Sequence, residues 1–68
     1  METIYNAHGI EIVKRDDQYF LRYDAGEIVT VINEIEISEE ESREIQRKKD
    51  MEDLYEYMIQ NLNERMQL

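Results

Sequence analysis

The chain has 68 residues, no cysteine and no proline, and its 17 acidic residues outweigh 8 basic ones to give a net charge of −9. One small domain is the ceiling at this length, burying only roughly 60% of its unfolded surface, and without cysteine there is no disulfide, no thiolate nucleophile and no cysteine-built zinc site. The acidic balance opposes direct binding to nucleic acid and to anionic membranes, both of which depend on cations, and favours attraction to a basic protein surface.

In chain order, residues 3–5 read as a short strand and Asn6 to Gly9 as a turn. "IEIVKR" is a second strand, and Asp16 and Asp17 form the next turn. "YFLRY" is a third strand, followed by "DAG", where Gly26 supplies the positive φ of a hairpin bulge. "EIVTVINEIEI" is a fourth, longer strand, or two short ones bent near Asn33. At Ser38 the pattern changes: "SEEE" fits S-x-x-E, with Ser38 as helix N-cap and Glu41 reaching back. Glu39 to Glu41 sit at the positive end of that helix dipole, and Glu39–Arg43 and Glu44–Lys48 have the favourable i,i+4 order. Asp50 restarts or continues the helix. Beyond it Met51, Leu54, Tyr55, Met58, Ile59, Leu62 and Met66 form one apolar stripe, with Tyr57 and Gln60 pointing away.

The implied fold is α+β in a single domain. A three- or four-stranded antiparallel β-meander occupies residues 1–37, and one bent or two consecutive C-terminal helices over 38–68 pack on one face. Strand parity groups Tyr19, Leu21 and Tyr23 with Val29, Val31, Ile35 and Ile37 on a core face, and sets Ile10 and Ile12 opposite Val13. Phe20, Ile28 and Ile32, with Val13, are left on a face that a single helical layer does not cover.

Catalysis is poorly supplied. His8 is the only histidine, in a turn, with no nucleophile or orienting partner implied. Ser38 and Ser42 are the only serines and lie at a helix start. No nucleophile elbow, phosphate-binding loop, dinucleotide fingerprint or zinc-protease motif appears. Asp16, Asp17 and Asp24 read as turn residues, and the order of an EF-hand is absent. No enzyme activity, cofactor or metal is therefore expected.

The reading that follows is a non-catalytic, acidic protein-binding module that docks on a basic partner, in the way inhibitors and immunity-type proteins do. Its alternative is a structural homodimer or subunit that associates through the uncovered sheet face or the C-terminal helix. Candidate partner-binding residues are Phe20, Arg22, Asp24, Ile28, Ile32, Glu39 and Glu40. No apolar run approaches the ~20 residues of a membrane span, and the first residues lack a signal peptide's basic start. A cytoplasmic chain, complete from its initial methionine, is the expectation.

"YFLRYDAGE" and "EIEISEEES" carry a resemblance. Over residues 18–44 the chain is similar to short uncharacterised bacterial proteins with a Y-x-x-R-Y-D-A-G-E strand-turn and an E-I-S-E-E-E strand-to-helix step. The resemblance implies no activity and transfers no functional residue.

Overall fold

The computed structural model describes residues 1–24 and 32–66. Four strands, β1 (Glu2–Ala7), β2 (Ile10–Arg15), β3 (Gln18–Asp24) and β4 (Ile32–Ile37), form one antiparallel sheet in sequence order. Three helices follow, α1 (Glu39–Arg47), α2 (Met51–Asn61) and the single turn α3 (Asn63–Met66). The fold is α+β, a meander capped on one face by consecutive helices.

Local chemistry accounts for the turns. His8 and Gly9 both take positive φ, 55° and 80°, in the two-residue loop between β1 and β2. That is the sign pattern of a type I′ turn, whose twist matches the flanking strands. Asp16, also at φ 55°, makes the β2–β3 turn, at a residue type that tolerates the left-handed region. The Gly26 hairpin and residues 27–31 of the fourth expected strand lie outside the described residues.

Ser38 ends the sheet and starts α1. Its Oγ accepts from the Glu41 N–H at 3.0 Å, and Glu41 Oε1 accepts from the Ser38 N–H at 2.8 Å, a complete capping box. The chain leaves α1 at Lys48, which is extended. It re-enters a helix at Asp50, whose carboxylate accepts from the Asp53 N–H at 2.9 Å. Two helices rather than one bent helix follow from that second cap. Ser38→Ala is expected to cost about 0.5–2 kcal/mol, and Ser38→Asp to restore most of it. Thermal melting of the three proteins checks this, and unchanged melting of Ser38→Ala would refute the cap.

Ile10, Ile12, Leu21 and Ile37 from the sheet meet Ile45, Leu54, Met58, Leu62 and Met66 from the helices in one buried core. Ile4 and Tyr5 both reach this core because a bulge between Thr3 and Tyr5 shifts the register of β1. Two sequence expectations are corrected here. Tyr57 does not point away: it packs half-buried on the core, with the Lys48 ammonium 5.2 Å above its ring. Conversely Met51, Tyr55 and Ile59 leave the core stripe and are 44%, 47% and 58% exposed. The buried line of α2 runs at strict i+4 spacing through Leu54 and Met58 to Leu62 at its C-cap.

The outer sheet face is not bare either. Val13 is fully buried there, directly across from Phe20. The Arg15 guanidinium lies 4.6 Å over the Phe20 ring. Arg15 pairs in turn with Glu34, and Arg22 with Glu11 at 3.2 Å and with Glu34 at 3.9 Å. A short lattice of cations and carboxylates thus roofs the apolar pair.

Arg65 ties the layers together. Its guanidinium donates to the Glu41 carboxylate in fork geometry, to the Glu36 carbonyl at 3.1 Å and to the Asn61 carbonyl at 3.1 Å. The Arg65 hydrogen bonds hold the Glu41 carboxyl below its usual range despite partial burial, with Ser38 adding to the effect. A carboxylate whose folded pKa is lowered stabilises the fold above its ordinary value of about 4.3, and that contribution disappears as pH falls through the lower folded value. Glu41→Gln keeps a capping acceptor but removes the charge. It should lose about 0.2–1 kcal/mol at pH 7, in the range of exposed pairs because both side chains are partly solvated, and should show a shallower loss of stability on acidification. Urea titrations at neutral and acidic pH check both parts, and an acid slope equal to that of the parent protein would refute the assignment.

Candidate functional site

The most built concavity lies where the C-terminal helices leave one end of the sheet uncovered. It is a groove of about 570 Å³. Ile10, Met58 and Met66 form its floor. Met51, Tyr55 and Ile59 form its α2 wall, and the His8–Gly9 turn, Tyr23 and Asp24 form the opposite wall. Tyr23 Oη donates to the Met66 carbonyl at 3.1 Å, fastening α3 against β3 and closing one end.

The helix positions the exposed wall by simple geometry. Met51, Tyr55 and Ile59 are four apart and stand on one ridge of α2. Glu52 and Glu56 each follow a ridge residue by one position, roughly 100° further round, and so stand on the flank of the ridge away from the buried line, outside the groove lining; Glu56 lies beside Lys48, Asp53, Tyr57 and Gln60 on that side of α2. Asp53 lies further round still. Residues 51–61 contain no lysine or arginine. No cation among the described residues pairs with Glu52, Asp53 or Glu56.

Several carboxylates elsewhere are paired within the chain. Glu11 and Glu34 hold Arg22 and Arg15, Glu39 holds Arg43, Glu44 holds Arg47 and Lys48, and Glu41 holds Arg65. The net negative charge is therefore not uniform in its consequences. On α1 and on the outer sheet face Glu39, Glu41, Glu44, Glu11 and Glu34 meet the chain's own bases, whereas Glu40 of α1 and Glu52, Asp53 and Glu56 of α2 have no ion pair among the described residues.

The sequence-derived partner residues do not come together. Phe20 and Arg22 share the outer sheet face, engaged with Arg15 and with Glu11 and Glu34. Ile32 is 51% exposed at the end of that face, across from Asp24. Asp24 also borders the groove. Glu39 accepts from Arg43 and from Tyr19 Oη, the latter at 3.3 Å, at the start of α1. Glu40 is exposed beside it. Ile28 lies outside the described residues. Met51, Tyr55, Ile59, Glu52 and Glu56 were not singled out as a surface by sequence reasoning. The available signal was the width of the apolar stripe, whose positions 51, 55 and 59 form a second i,i+4 line beside 54, 58 and 62.

Chemically the groove offers apolar contact and little else. His8, Asp24 and the phenols of Tyr23 and Tyr55 are its polar groups, and no serine or threonine is among the lining residues. Ser38 is occupied as a cap, and Ser42 is buried and accepts from Gln46 Nε2 at 3.0 Å. Burial, reinforced by the charges of Glu41, Glu44 and Glu40, pushes the Tyr57 phenol up, so it is neutral at pH 7. Among the described residues no cluster of three or more histidine or acidic side chains is placed to hold a metal ion, and no helix is long and apolar enough to cross a membrane. No protein-family model, curated protein or solved structure matches the chain.

Proposed function

We propose that this chain is a non-catalytic binding module whose groove takes up a protein partner with a basic, partly apolar surface. One observation carries the reading: an apolar ridge of three large side chains stands exposed on α2, next in sequence to carboxylates that form no ion pair among the described residues. Apolar side chains lose about 1.5–3 kcal/mol each by staying in water, so a ridge of three is a source of binding energy. The unpaired acids add attraction at a distance and discriminate by sign. The same acids count against a second copy of the chain in this groove. A two-fold contact would bring like patches together and set Glu52 and Glu56 of both copies near one another.

Tyr55→Gln with Ile59→Gln tests the reading, since both side chains are exposed and glutamine suits a helix. The double variant should fold with unchanged circular dichroism and bind a basic partner captured by the parent protein at least about tenfold more weakly, a 1.4 kcal/mol change. Capture by the parent should also fall as salt rises. Equal capture by the double variant would remove the groove from the interface, and salt-independent capture would remove the role of charge.

A further inference from the structure

Resting on that reading of the groove, we infer that its occupant is a basic amphipathic helix of the partner, not an extended strand. The sheet-side wall comes from β2, β3 and the turn that precedes β2. These are the two inner strands of the order β1-β2-β3-β4, each already hydrogen-bonded on both sides. An added strand needs an unpaired backbone edge, and this wall presents none. The other wall is a helical ridge. From Met51 to Ile59 it runs about 12 Å at 1.5 Å per residue, two turns of α-helix. Such a ridge meshes with side chains at i, i+3, i+4 and i+7 of a second helix lying 8–10 Å away. Three methionines among the lining residues let the groove adapt to the shape of those anchors. Charge sets the rest of the partner's chemistry: Glu52 and Glu56 stand on the outer flank of the ridge, beyond the groove lining, so the incoming helix carries lysine or arginine whose long stems reach over the ridge toward them.

The methionines also provide the readout. Met51, Met58 and Met66 line the groove, whereas Met1 is exposed and lies outside it. With isotope-labelled methionine methyl groups, nuclear magnetic resonance then reports the groove and carries an internal control. Three synthetic peptides of about 14 residues serve as probes, a length at which a helix is marginal alone and is stabilised by docking. One has leucine and lysine at helical period, one has them in strict alternation, and one has leucine and glutamate at helical period. The helical leucine–lysine peptide should shift the Met51, Met58 and Met66 signals and leave Met1 in place. Its affinity should fall at least about tenfold in Tyr55→Gln/Ile59→Gln, and about threefold to tenfold at low salt in Glu52→Gln/Glu56→Gln.

Stronger binding of the alternating peptide at the same three methyls would overturn the helix inference while leaving a basic partner in the groove. Equal binding of the leucine–glutamate helix would overturn the charge assignment. If neither lysine peptide moves the groove methyls, the inference and the proposed function fail together. Shifts of those methyls with protein concentration alone would put a second copy of this chain in the groove, and would overturn the heterologous helix.

Discussion

Leu62→Ala should be the most damaging single truncation on the helical side, at about 2–5 kcal/mol. Leu62 is fully buried and closes α2, its N–H donating to the Met58 carbonyl at 2.8 Å. Its own carbonyl accepts from the Met66 N–H at 2.9 Å, so it also opens α3. The cavity left by alanine would lie between Met58, Met66 and the sheet, in the core that α2 and α3 share with β2 and β3. At roughly 0.05–0.15 kcal/mol per residue, a chain this short has only about 3–10 kcal/mol of total stability. Leu62→Ala therefore removes a large fraction of it and can unfold the chain outright. Gln60→Ala, on an exposed position of the same helix, should stay within about 0.5 kcal/mol. Urea denaturation of the pair is the check, and equal midpoints would mean that α2 does not pack through the Leu54–Met58–Leu62 line.

What was legible in the sequence is what local chemistry decides. The Ser38–Glu41 capping box, the Glu39–Arg43 and Glu44–Lys48 pairs and the turns at Gly9 and Asp16 each depend on residues at most four apart, and each is in place. The α+β order follows from the switch of apolar period at Ser38. Rotation of α2 about its axis was not legible. Seven apolar residues fit one stripe, but a helix buries only the part that meets a neighbour. Here the core shared with the sheet and Ile45 takes Leu54, Met58 and Leu62, with Tyr57 packed against it, leaving the Met51, Tyr55 and Ile59 flank exposed. The helical wheel places Tyr57 off the stripe, yet it packs on the core with Lys48 over its ring. The groove was hidden for the same reason, since its two walls are separated in sequence by the whole of β4 and α1.

The outer sheet face supplies a second large effect, which separates a docking surface from a self-covered one. Parity places Phe20, Arg22 and Ile32 there with Val13, and apolar residues on an open face invite a partner. The chain's own arginines alter that balance. Val13 is fully buried on a face that no helix among the described residues covers; Phe20 lies directly across the strand pair from it, with the Arg15 guanidinium above the Phe20 ring. Phe20→Glu would remove the ring, expose Val13 and end the stacking of Arg15. It would also place a carboxylate directly across from Glu36, a like-charge pair that adds about 0.2–1 kcal/mol to the loss. Attraction to Arg15 offsets part of this, but Arg15 is already held by Glu34. Since Phe20 is half-buried, removal of its apolar contact should cost about 1.5–3 kcal/mol, below the figure for a fully buried ring. Phe20→Glu is thus expected to lower the urea midpoint of the monomer markedly, with Phe20→Leu recovering much of the loss. Light scattering beside the denaturation curves completes the test. If Phe20→Glu left the monomer's stability unchanged and abolished a concentration-dependent association of the parent protein, the outer face would be an interface and the guanidinium roof only its resting cover.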